Sequence, residues 1–134
     1  MIFFDTNILV YSSINQDTEK QLVADQKILL ALKSNELCIS PLVLTEYLFV
    51  LAKLKQIEIQ QKNIVFFKSL AMGAIDTKLV DEAYKICSQV SCCKSINDVI
   101  HLKFAEKYCD KLITFDSDFE KLKPYTTLEI EILV

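Results

Sequence analysis

The chain has 134 residues, of which 51% are hydrophobic, enough for one domain spanning 1–134 with a substantial core. One Gly and two Pro leave little room for flexible linkers, and the interrupted apolar runs predict no membrane span. The net charge is −3 and all 15 basic residues are Lys, so the composition argues against a salt-driven nucleic-acid binder gripping phosphates through Arg.

Met1-Ile2-Phe3-Phe4-Asp5 lacks the basic start of a secretory signal, and a cytoplasmic location is expected. The five cysteines are not spaced as zinc ligands, because Cys92 and Cys93 are adjacent and the single His101 lies eight residues on. Reduced, mostly buried thiols are expected instead.

Ile2-Phe3-Phe4 reads as a strand buried on both faces, followed by Asp5, Thr6 and Asn7 before apolar residues resume at helical spacing. Asp5 thus falls at the carboxyl end of a central strand, where open α/β sheets bind ligands. It also suits a helix N-cap, and both readings stay open on this stretch alone.

A helix from Asp17 or Thr18 to about Ser34 follows, with Leu22, Ile28, Leu29 and Leu32 as its expected buried face. Leu37-Cys38-Ile39 is a short strand. Ser40-Pro41 opens a helix to about Lys55 that is apolar almost all round and is expected to be buried. Glu46 is the one charge in its first eleven residues after the proline, and a carboxylate in that setting needs a base or a metal ion.

An amphipathic helix over 59–72 is expected to end at Gly73, with a very short strand at Ala74-Ile75. Another runs from Asp76 or Thr77 to about Val90, and 91–94 reads as a loop. Ser95-Ile96-Asn97-Asp98 opens the next helix, to about Tyr108; its Ser-x-x-Asp pattern resembles a capping box, which would explain Asp98 without any ligand. His101, without a partner in sequence, reads as a surface or core-edge residue. Leu112 to Phe115 is a second strand ending on an acid. Ser117 and Glu120 can form another capping box, leaving Asp116 and Asp118 unexplained at the strand mouth. The segment 128–134 alternates as a half-exposed edge strand.

Alternating strands and helices imply a parallel sheet covered on both faces, whose strand ends gather Asp5 and Asp116, with Glu46 and Asp98 able to join them. Clustered carboxylates repel one another, and a hard divalent cation such as Mg²⁺ or Mn²⁺ is the simplest compensation. Phosphodiester hydrolysis is the reaction class that follows.

Asp5-Thr6-Asn7, Glu46, Asn97-Asp98-Val99-Ile100 and Thr114-Phe115-Asp116-Ser117-Asp118-Phe119, in this order and spacing, resemble the PIN-domain family, and within it the VapC-like toxins of toxin–antitoxin systems. The resemblance implies a three-layer α/β/α sandwich around a parallel sheet of about five strands. It further implies an endoribonuclease dependent on Mg²⁺ or Mn²⁺. By motif position Asp5, Glu46, Asp98 and Asp116 are then the metal-site acids, Asp118 shares that role, and Thr6 and Asn7 support it. A homodimer and a small antitoxin partner are implied as well. Two other classes compete: a non-catalytic PIN-like module binding RNA or protein, and a phosphoacceptor receiver domain. The latter wants an acid pair near the first strand, where this chain has Asp5 alone.

Overall fold

The structure, a computed structural model, describes residues 1–90 and 95–134. Its elements are β1 (Ile2–Phe4), α1 (Thr6–Ser13), α2 (Thr18–Lys33), β2 (Leu37–Cys38), α3 (Pro41–Lys53), α4 (Gln61–Leu70), α5 (Thr77–Gln89), α6 (Ile96–Tyr108), β3 (Lys111–Thr114), a 3₁₀ segment (Ser117–Tyr125) and β4 (Glu129–Ile132). The strands form one parallel sheet in the order β2-β1-β3-β4. Among the described residues the sheet has four strands, against about five expected, and a parallel bridge from Ile39 to Ala71 extends the β2 edge.

This order places the functional edge. From β1 the chain crosses one way to β2 and later returns on the other side to β3, so the direction of winding reverses between β1 and β3. Open α/β sheets bind ligands at the carboxyl ends of strands flanking such a reversal. Phe4 pairs with Ile113, and the Asp5 amide donates to the Ile113 carbonyl at 3.0 Å, which brings Asp5 level with the end of β3. Phe3 and Phe4 are both fully buried, as a central strand covered on both faces requires.

The helix starts follow local chemistry. Asp17, Ser40 and Asp76 cap α2, α3 and α5 by accepting from the backbone amides of Lys20, Val43 and Leu79. Helix faces departed further from expectation. On α2 the packed residues are Ala24, Ile28 and Ala31, whose spacing of four and three marks one face, while Leu22 and Leu29 stay 66% and 58% exposed on the others. Helix α3 buries Val43, Tyr47 and Leu51 but exposes Phe49, so it lies on the surface rather than in the middle.

Helix α4 ends at Leu70 with Ala71 as its cap; Gly73 is not the cap, and Ala74-Ile75 forms no strand. Gly73 has φ +78°, and a Cβ there would meet the Phe104 ring at 2.7 and 2.8 Å. Gly73→Ala is therefore expected to cost about 2–3 kcal/mol, combining left-handed strain with overpacking. Urea denaturation checks this; an unchanged midpoint would show that the ring yields freely.

Cys38 and Cys109 are free thiols, as expected of reduced cysteines. Cys92, Cys93 and the loop expected over 91–94 lie outside the described residues. No helix among the described residues is long and apolar enough to cross a membrane.

Candidate active site

Asp5 follows the carboxyl end of β1 and opens α1, so of the two readings left open by its sequence the cap is present. It is the N-cap of α1, with Oδ1 accepting from the Thr6 amide at 2.7 Å, and it is buried. Its other oxygen accepts from the Thr114 hydroxyl at 2.7 Å and, at 3.3 Å, from the Asn7 amide. Asn7 also accepts from the Phe115 amide at 3.2 Å, tying the start of α1 to the end of β3. The buried Thr114 hydroxyl in turn accepts from the Asp116 amide at 2.9 Å. Asp5 is thus held on both sides by the two central strand ends.

Glu46 reaches the same place from α3. Its Oε1 accepts from the Thr6 hydroxyl at 2.6 Å and lies 2.7 Å from His101 Nε2, while Oε2 accepts from Asn97 Nδ2 at 3.0 Å. Asp98 occupies the first turn of α6, between these two partners in sequence. Ser95, the N-cap of that helix, makes no side-chain cap hydrogen bond, so the expected capping box does not account for Asp98. Asp116 caps the 3₁₀ segment by accepting from the Asp118 amide at 2.9 Å, a role the sequence pattern had given to Ser117.

Asp5, Glu46, Asp98 and Asp116, with Thr6 and Asn7, line one cleft of about 420 Å³, walled in part by Tyr11 and Phe49. Asp118 does not line it; its side chain is 47% exposed and lies 3.8 Å from Lys121. Lysine ion pairs within 4 Å among the described residues lie elsewhere, on Asp81, Glu106, Asp118, Glu120, Glu129 and Glu131. Among the described residues the basic group within 4 Å of a cleft acid is His101, 2.7 Å from Glu46 and 3.8 Å from Asp5, buried, and cationic when protonated.

The charges respond accordingly. Burial, then the charges of Asp5 and Asp116, push the Asp98 carboxyl up to about 7. Burial also raises Asp5, against the opposing pull of His101 and the Thr114 hydrogen bond. Glu46 goes the other way: burial raises it, but the hydrogen bond and charge of His101, with Thr6 and Asn97, bring it down to about 2. In His101 burial lowers the pKa, and Glu46 and Asp5 together more than offset this.

Two donor sets overlap here. Ligand atoms of Asp5, Glu46 and His101 lie within 4.8 Å of one another, a spacing a metal ion can bridge. His101 Nε2, however, is already engaged by Glu46 and does not line the cleft. The four cleft acids form the other, all-oxygen donor set, in which burial first and then the charges of Asp5 and Asp116 raise Asp98.

Residues 2–123 match the family model of the PIN domain. The chain belongs to the PIN-domain family. Among solved structures, VapBC2 from Rickettsia felis, bound to a DNA fragment from their promoter, contains a chain that resembles this PIN domain with TM-score 0.71 and 24% identity over 98% of either chain. That likeness is one of fold. No curated protein matches the sequence.

Three residues of this PIN domain's site had no site role assigned from the sequence: Thr114 and Asn97, present in the quoted motifs, and His101, expected at the surface or core edge. A signal existed for the last two, since positions 97, 98 and 101 fall on adjoining parts of one helix face, separated by three and four residues. Thr114 ends a strand two residues before Asp116, and nothing local marks its hydroxyl as a hub.

Proposed function

We propose that this PIN domain is a metal-dependent endoribonuclease that hydrolyses RNA phosphodiester bonds as the toxin of a toxin–antitoxin pair in the cytoplasm. The observation that carries this reading is the acidic cleft: four acids from four separate segments converge where winding reverses, and no lysine pairs with them among the described residues. Asp5, Glu46, Asp98 and Asp116 would hold Mg²⁺ or Mn²⁺, which when bound supplies activation of water and neutralisation of phosphoryl charge. The chain's own contribution is positioning. Thr114 and the Thr6 amide fix Asp5, and the Thr6 hydroxyl and Asn97 fix Glu46.

With no Arg, the grip on RNA falls to lysines and aromatic rings. Tyr11 lines the cleft, and Lys20 Nζ stands 5.0 Å from its ring centroid, placing a cation at the rim. The leucines left exposed on α2 and the exposed Phe49 on α3 offer surface for an antitoxin and for a second copy in a homodimer. VapBC2 supports the partner assignment through the shared fold. A non-catalytic module binding protein or RNA is the second reading, favoured by the same exposed side chains.

Cleavage of single-stranded RNA with Mg²⁺ or Mn²⁺, and its loss in EDTA, tests the proposal; cleavage undiminished by EDTA would overturn it. Within the site, Asp116→Asn should lower the rate by about tenfold or more, whereas Asp118→Asn, at an exposed carboxylate, should stay within about twofold. The reverse order would make Asp118 the fourth acid.

A further inference from the structure

Glu46, on α3, accepts hydrogen bonds on both oxygens from a single neighbouring helix, α6. Asn97 and His101, four residues apart on α6, reach Oε2 at 3.0 Å and Oε1 at 2.7 Å, and the Thr6 hydroxyl reaches Oε1 from α1 at 2.6 Å. A carboxylate oxygen offers two lone pairs. Oε1 is therefore filled by Thr6 and His101, and Oε2 keeps one lone pair for the cleft.

His101 is built for this task and little else. It is 1% exposed, its ring lies 5.4 Å from that of Phe3, and its Nδ1 has no hydrogen-bond partner among the described residues. Leaving one nitrogen of a buried imidazole unsatisfied is costly, and the contact of the other nitrogen with Glu46 offsets part of that cost. Its partner Glu46 stands on a separate helix 55 residues away in sequence.

Resting on the metal-site reading above, we propose that His101 is a positioning residue. Its Nε2–H donates to Glu46 Oε1 and, with Asn97 and Thr6, fixes the carboxylate plane so that Oε2 alone is presented to the cation. His101 is not itself a ligand. Groups that orient a metal-binding side chain typically change metal affinity by about 10–100-fold when removed.

The test is Mn²⁺ binding to the full chain, followed by electron paramagnetic resonance, in wild type, His101→Leu and His101→Gln. Leucine keeps the apolar bulk and removes the donor; glutamine returns an N–H near the position of Nε2. His101→Leu should weaken Mn²⁺ binding by about tenfold or more, His101→Gln should recover it to within about threefold, and wild type should show no directly bound ¹⁴N. Urea midpoints taken alongside separate fold loss from site loss. His101→Leu with lowered stability but unchanged Mn²⁺ affinity overturns the proposal, as does a ¹⁴N coupling that makes the imidazole a ligand. If His101→Leu does not fold, the glutamine variant decides, since a tenfold loss there contradicts a role met by any correctly placed donor. Wild type that binds no Mn²⁺ overturns the metal-site reading itself, and the inference with it.

Discussion

Asp98→Asn should do two opposite things: abolish cleavage and make the metal-free protein more stable above neutral pH. The carboxyl is pushed up to about 7 by burial and by Asp5 and Asp116, so the folded state binds its proton more tightly than the unfolded state, where it titrates near 3.8. A raised pKa contributes stability that is complete below the unfolded value and lost as pH rises through the folded one. Between pH 5 and 8 the wild type without metal should therefore lose stability, by about 1–2 kcal/mol from this group once solvent screening of a partly exposed carboxyl is allowed for. The raised His101 adds loss of the same sign, while Glu46, held at about 2, does not titrate in this window. Asparagine at 98 should flatten the Asp98 component. Metal should reverse the wild-type loss, by about 2.7 kcal/mol at a free concentration one hundred times Kd, and should do little for the variant. Thermal melts across pH, with and without Mg²⁺, read both effects. A wild-type melting temperature that rises from pH 5 to 8 without metal would contradict the repulsion assigned to the cleft.

Asp5→Asn should remove activity by on the order of a thousandfold while leaving the fold in place. The asparagine oxygen can still accept from the Thr6 amide, so the cap on α1 survives, while its amide nitrogen cannot accept from Thr114 or Asn7, at a cost of about 1–3 kcal/mol. What disappears is the negative charge at the sheet's reversal point, and with it one member of the proposed cation site. The variant should retain the far-ultraviolet circular dichroism of the wild type and lose Mg²⁺-dependent stabilisation. RNA cleavage at the wild-type rate by a well-folded Asp5→Asn protein would end the nuclease proposal.

Much of the architecture is legible in short stretches of sequence because the determinants are local. Ile2-Phe3-Phe4 before Asp5, and the caps at Asp17, Ser40 and Asp76, depend on residues within one turn of each other, and the elements they open are present. The order of the acidic motifs was likewise enough for the family, which the match over residues 2–123 shows. Glu46 was recognisable as a misfit charge on an apolar helix, although that helix exposes Phe49 and is less buried than its composition implied. Side-chain choice between faces was less legible: on α2 the small Ala24 and Ala31 face the core and the larger Leu22 and Leu29 do not, because close packing of neighbouring helices is decided by available space and not by hydrophobicity alone.

By itself, then, the sequence determined the alternation of elements, the acids worth watching and the family to which they belong, all of them readable from spacing along the chain. Only the tertiary structure decided which groups those acids meet. Thr6 meets Glu46 across 40 positions, His101 meets it across 55, and Thr114 meets Asp5 across 109. Contacts of that separation are fixed by the sheet's register and the helices packed on it, and a hydrogen bond needs its partners placed to within a few tenths of an ångström, a precision no local pattern carries.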